Sequence, residues 1–248
     1  MSKAILYDST LCIGCKACEG ACAQRWGLPY DDKVAAEEQI SAHKLTAIQT
    51  FGERYSRRLC MNCVQPACAS VCPVGAIQKT AVGPVVYDAD KCMGCRYCMQ
   101  ACPFQVPSYE WNARLPKMRK CDMCFERQNK GEPTACAEAC PVGATKCGDR
   151  DALIAEAKQR IAEKPDGYYP KVYGLTEVGG TSVFYLSAVP FEQIGLRTGV
   201  PQEALPETTW RVLELVPDVV STGSVLLNGI WWITNRRAEV AKKEGRTK

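Results

Sequence analysis

Histidine is almost missing from this chain: one residue, His43, in 248. Aromatic residues reach only 8% and the net charge only +4. The opening stretch, MSKAILYDST, contains no apolar h-region and no twin arginine. Each shortage removes a class of function. A single histidine cannot supply repeated Cys/His zinc sites, and His43 itself reads as a surface or loop residue rather than a cluster or haem ligand. A mild charge without a dense basic stripe argues against a nucleic-acid partner. A chain of this length that opens without a leader is not expected to be a short secreted scaffold held by disulfides. Nor is there a recognisable nucleophile–base pair, phosphate loop or pterin site. No catalytic residue is therefore assigned, and the chain is expected to work without catalysing a reaction itself.

What is abundant is sulfur. Sixteen of the 17 cysteines fall into four quartets. The first is Cys12, Cys15, Cys18 and Cys22, and the second Cys60, Cys63, Cys68 and Cys72. The third is Cys92, Cys95, Cys98 and Cys102, and the fourth Cys121, Cys124, Cys136 and Cys140. Quartets one and three have the C-x2-C-x2-C-x3-C spacing of bacterial ferredoxins. Proline follows the fourth cysteine in quartets two, three and four, whereas Ala23 follows Cys22.

Three cysteines within seven residues let a tight loop wrap three corners of a 4Fe–4S cube, with Gly14 and Gly94 easing the turn. The fourth lies beyond the loop's reach and, in two-cluster ferredoxins, ligates the other cluster. It is expected to open a helix aimed at that neighbour. Quartets thus work in pairs, and sixteen cysteines predict four clusters. An internal repeat agrees: YDSTLCIGCKACEGAC (7–22) parallels YDADKCMGCRYCMQAC (87–102), and PACASVCPVGA (66–76) parallels PTACAEACPVGA (133–144). Quartets two and three are close enough in sequence to close one ferredoxin-like module, βαββαβ in outline. Quartets one and four are left to form a second module that the first interrupts. The expected fold is α+β, with segments 1–50 and 107–170 as the split module and 51–106 as the inserted one.

These quartets resemble the four-cluster electron-transfer subunits of molybdopterin or tungstopterin oxidoreductases. Within that family the chain is most similar to the iron–sulfur (beta) subunit of membrane-bound formate dehydrogenase. The stretches that carry the likeness are CIGCKAC, CPFQVP (102–107), CPVGAT, VYGLTEVGGTSVFYL (172–186) and the C-terminal hydrophobic segment. The resemblance implies four ligand sets. Cys12, Cys15, Cys18 and Cys140 hold one cluster, and Cys22, Cys121, Cys124 and Cys136 its neighbour. Cys60, Cys63, Cys68 and Cys102 hold a third, and Cys72, Cys92, Cys95 and Cys98 a fourth. It also implies a relay from a pterin-bearing catalytic subunit to a cytochrome b or other quinone-reactive membrane subunit. The same wire could serve a hydrogenase or a polysulfide, thiosulfate or dimethyl sulfoxide reductase. A soluble polyferredoxin is the alternative from another class, and the long C-terminal third argues against it.

Cys147 is left over and reads as a small buried apolar residue. The basic run RLPKMRK (114–120) suits a partner contact or a solvated face equally. Residues 149–164 predict an amphipathic helix capped by Asp149 or Asp151 and stopped by Pro165 and Gly167, and TSVFYLSAV (181–189) predicts a strand. Residues 171–211 are expected to dock a partner, by the resemblance alone. The uncharged run 219–234, extended back to Val212, would cover ~34 Å as a helix, enough to cross a bilayer and meet its lipid. The tail, 235–248, carries six Lys/Arg against two in 190–218. By the positive-inside rule the expected topology is a cytoplasmic tail and a periplasmic cluster domain. The family implies export of the folded subunit alongside its catalytic partner.

Overall fold

The computed structural model describes residues 2–114 and 116–245. In chain order the elements begin with β1 (Lys3–Asp8), α1 (Ala17–Trp26), α2 (Asp32–Ala36), β2 (Ala47–Phe51) and β3 (Arg54–Arg58). Next come α3 (Ala67–Ser70), β4 (Ile77–Lys79), β5 (Val85–Tyr87), α4 (Tyr97–Ala101), β6 (Ser108–Tyr109) and β7 (Met118–Arg119). Then follow α5 (Phe125–Asn129), α6 (Ala135–Glu138), β8 (Thr145–Asp149), α7 (Arg150–Glu163), β9 (Val183–Leu186), α8 (Leu205–Leu213) and α9 (Val216–Lys243). The chain divides into one unit up to residue 206 and a second from residue 207 onward.

In the first unit β1 is central, antiparallel to β8 and parallel to β9. Its sequence, KAILYD, is buried from Ala4 to Asp8, as a strand covered on both faces should be. Side chains alternate across it. Ala4 and Leu6 join Phe184, Leu186, Leu153 and Ala157 beneath α7. Ile5 and Tyr7 face the other way, into the core that contains Cys18, Cys60, Cys121 and Cys136. Tyr7, Tyr173, Tyr185 and Phe191 pack there edge-on or tilted, with ring centroids 5.2 to 5.9 Å apart. Such pairs add about 0.5–1.5 kcal/mol each beyond their burial.

The other sheets are two-stranded ribbons, β2–β3, β4–β5 and β6–β7. No βαββαβ sheet forms among the described residues. Instead α1 packs against α6 and α3 against α4, so two helix pairs repeat the same device. The ribbon β6–β7 contributes Tyr109 and Met118 to the small core of Ile77, Val85 and Cys98. Residues beyond 106 thus complete the core around the inserted motifs.

Helix α7 lies within the predicted 149–164. Asp149 occupies its N-cap position, but its side chain makes no cap bond; it pairs with Lys3 instead, 2.9 Å away across the β1–β8 edge. The predicted strand forms over Val183–Leu186. Much of 171–211 is core: Tyr173, Val178, Phe191 and Ile194 are buried with β9.

The second unit corrects the expected membrane span. No helix among the described residues is long and apolar enough to cross a membrane. The predicted segment 212–234 straddles the break between α8 and α9, at Glu214 and Leu215. Within α9, Ser221, Thr222, Ser224 and Asn228 dilute the apolar run. The Lys/Arg asymmetry therefore has no spanning helix to orient. Residues 246–248 of the basic tail, and Leu115 of the basic run, lie outside the described residues.

Candidate iron–sulfur sites

Two of the cavities among the described residues have cysteines in their walls. One is lined by Cys12, Cys15, Cys18 and Cys140, together with Tyr7, Lys16, Ile48 and Thr145. The other is lined by Cys72, Cys92, Cys95 and Cys98, with Tyr87 and Tyr109. Each therefore gathers three cysteines of one loop and the fourth cysteine of a different quartet. The remaining eight thiols are electrostatic neighbours in the same crossed manner. Cys22 lies within reach of the charges of Cys136 and Cys124, and Cys121 within reach of Cys22 and Cys124. Cys63 is coupled to Cys60, Cys102 and Cys68.

The four sets also form a row. Cys18 of the first set feels Cys136 of the second, Cys121 of the second feels Cys60 of the third, and Cys68 of the third feels Cys98 of the fourth. The sets are numbered one to four in that order below. Cys15 is exposed, and Ile13, Met93 and Tyr97 stand exposed beside the two end sets.

Local backbone explains how the loops wrap. Lys16 and Arg96 take left-handed conformations just before α1 and α4, with φ of 57° and 65°. Gly14 and Gly94, at φ of 69° and 75°, turn the chain between the first two cysteines of each loop. The fourth cysteine does not open a helix as expected. Cys22 lies inside α1, while Cys102 ends α4, and Cys72 and Cys140 come just after α3 and α6. This explains the proline pattern. Proline is tolerated where the helix has ended, but at position 23 it would remove an interior hydrogen bond. With Ala23, α1 runs on to Trp26, and Arg25 makes two bonds of 2.9 and 2.8 Å to Asp122, next to Cys121.

No group of three or more His, Cys, Asp or Glu side chains among the described residues converges closely enough to hold a single metal ion. The donor set is all thiol, four cysteines in the wall of each cavity, and four thiolates suit the four irons of a 4Fe–4S cluster. Burial pushes the Cys18 thiol up to about 11 and the Cys22 thiol up to about 12, with neighbouring thiolates adding to the rise. Cation binding must therefore displace protons. Hydrogen bonds already point at sulfur. The backbone N–H groups of Phe104, Gln105 and Val106, in the CPFQVP stretch, act on Cys102, and the Ala76 N–H donates to Cys72 Sγ at 3.2 Å. Tyr7 stands beside Cys12 and Tyr87 beside Cys92, a placement repeated in both halves, and the Tyr109 hydroxyl lies 3.5 Å from Cys98 Sγ.

The sequence reading overlooked the charged framework. Arg57 is fully buried beside Cys18, Cys121 and Cys136. Glu19 and Lys44 form a buried ion pair at 2.8 Å, with Tyr30 donating to Glu19. Neither follows a periodic pattern that would mark it. His43 is exposed, as expected. Cys147 is half-buried in β8 opposite Ile5 and lines neither cysteine cavity.

Paired loops of this kind define a ferredoxin-like iron–sulfur protein, and the comparisons agree. Residues 52–150 match the family model described as a 4Fe-4S dicluster domain. A protein of Nitratidesulfovibrio vulgaris is 38% identical over 257 residues, 98% of this chain and 70% of the relative. The Hydrogenase-2 operon protein HybA of Escherichia coli O157:H7 is 36% identical over 276 residues, 91% of this chain and 84% of the relative. The formate dehydrogenase iron-sulfur subunit of Haemophilus influenzae is 33% identical over 255 residues, 92% of this chain and 79% of the relative. The chain belongs to the family of iron–sulfur subunits that includes those of formate dehydrogenase and HybA.

Proposed function

We propose that this chain is a four-cluster electron wire between a molybdopterin or tungstopterin catalytic subunit, that of a formate dehydrogenase, and a cytochrome b or other quinone-reactive membrane subunit. The observation that carries the reading is the row of crossed cysteine sets. Four neighbouring sets, each adjoining the next, suit stepwise electron transfer, and the ferredoxin spacing suits 4Fe–4S clusters. The ligand sets are those named above, Cys12, Cys15, Cys18 and Cys140 through Cys72, Cys92, Cys95 and Cys98. When bound, the clusters supply the one-electron chemistry. The chain's own residues enclose them, donate hydrogen bonds to sulfur and set the local charge. Exposed Ile13 at one end, and Met93 and Tyr97 at the other, are where partner subunits would seat. On this reading the cluster domain works on the outer face of the cytoplasmic membrane, exported with its catalytic partner.

The likeness to HybA favours a second reading, in which the same wire serves a hydrogenase. Metal analysis of the co-purified large subunit separates the two: molybdenum or tungsten supports the first, nickel the second. Purified protein should carry about sixteen iron and as much acid-labile sulfide. Stoichiometric zinc without sulfide would overturn the wire altogether. In single variants, Cys22→Ser should perturb the cluster held by Cys121, Cys124 and Cys136, and Cys140→Ser the one held by Cys12, Cys15 and Cys18. A Cys22→Ser spectrum altered only at the latter cluster would refute the crossed pairing.

A further inference from the structure

Arg57 is among the largest fully buried side chains in the chain. It projects from β3, and its backbone is held from the other side by Tyr185, whose hydroxyl donates to the Arg57 carbonyl at 2.7 Å. Its Nε donates to Thr46 Oγ1 at 2.8 Å and its Nη1 to Thr145 Oγ1 at 3.2 Å. Thr145 lines the cavity of the first cysteine set. The guanidinium also lies within electrostatic reach of Cys136 and Cys121, of the second set. One side chain thus reaches the walls of two adjacent sites.

Among the described residues no carboxylate pairs with it; both hydroxyl partners are neutral. The neighbouring buried cations are balanced differently. Arg25 is matched by Asp122 and Lys44 by Glu19. Removing a charge from water without a counter-ion costs several kcal/mol, so native proteins seldom leave one unmatched. The nearest anionic groups available to Arg57 are thiolates. A cluster with four thiolates is a net anion and gains one more negative charge when reduced. A fixed cation beside it favours the reduced form.

We propose that Arg57 is the shared counter-charge of the clusters at sets one and two, raising the reduction potential of both and leaving those of sets three and four unaffected. The inference rests on the four-cluster reading above. It makes Arg57 a positioning and tuning residue that ligates nothing, yet biases the electron toward one end of the row.

The test is a redox titration of the purified native complex, followed by electron paramagnetic resonance, in wild type and Arg57→Gln. Iron and sulfide are counted alongside. Two of the four midpoint potentials should fall, each by at least the tenfold change in reduced-to-oxidised ratio that corresponds to about 59 mV, while the other two stay. Four unchanged potentials at full iron content, or four shifted equally, would overturn the proposal. If Arg57→Gln does not accumulate with full iron, Arg57→Lys decides. It keeps the charge and loses the fork, so full loading with potentials within threefold of wild type supports a charge effect. Failure of the lysine variant to load as well would show that shape rather than charge matters and would end the proposal. The wild-type iron count is read first and tests the four-cluster reading separately.

Discussion

Residues 7–22 and 87–102 carry one motif twice, and the two copies have different fates. In both, a tyrosine stands beside the first cysteine, a glycine turns the loop and a left-handed cation precedes the helix. Beyond that they diverge. β1 lies at the centre of a three-stranded sheet, whereas β5 belongs to a two-stranded ribbon. Asp8 is buried and accepts from Thr10, Arg160 and Tyr168; Asp88 is exposed and accepts from the backbone of Asp90 and Lys91. Helix α1 has ten residues and α4 has five. The loop chemistry is local and survives duplication. The surroundings are free to differ, and the first copy has become the foundation of the fold.

The largest effect should come from forcing the first copy to end as the second does. Ala23→Pro should cost at least about 3 kcal/mol, detach Arg25 from Asp122 and lower the iron content by one cluster. Pro103→Ala, beyond the end of α4, should leave iron content unchanged. Equal iron loss in the two variants would erase the distinction.

Next come the turn glycines. A Cβ on Gly14 would lie 2.4 Å from the Tyr55 ring, whereas one on Gly94 meets nothing within 4 Å. Gly94→Ala should cost about 1–2 kcal/mol, the left-handed penalty alone. Gly14→Ala adds the steric overlap and should reach about 3 kcal/mol. Denaturant midpoints measure the difference.

Asp8→Asn removes the charge that Arg160 faces at 2.8 Å and should cost about 2 kcal/mol. Asp88→Asn should leave the denaturation midpoint where it was. The smallest effect tests the support around Asp8. Burial opposes ionisation of Glu156, but hydrogen bonds from Lys146 and Arg160 outweigh it and hold the carboxyl below the usual glutamate range. That stabilisation is present above the unfolded glutamate pKa and is lost as pH falls through the lower folded value. Glu156→Gln should therefore lose a few tenths of a kcal/mol at neutral pH. Wild-type and variant stability curves should converge below about pH 4.

The cysteine loops were legible because their function is written within a few residues: spacing, glycine and the following proline are local signals. Helix α7 and strand β9 were legible for the same reason, each carrying its own period and stop residues. The C-terminal helix misled because a window of sequence from 212 to 234 ignores the break at Glu214 and averages over the polar residues of α9. The missing proline after Cys22 was visible, but its meaning was not. Only the bond from Arg25 to Asp122, 97 positions away, shows what the extra turn of α1 is for.

Taken alone, the sequence determined the kind of site: which thiols share a loop, that loops pair, and that iron–sulfur chemistry suits them. Tertiary structure decided which sets stand next to which, and where the unmatched charge of Arg57 falls. The physical reason is range. Loop wrapping depends on backbone angles of adjacent residues, which composition constrains directly. Burial of a cation between two sites depends on strands brought together from positions 46, 57 and 145, and no local pattern encodes that meeting.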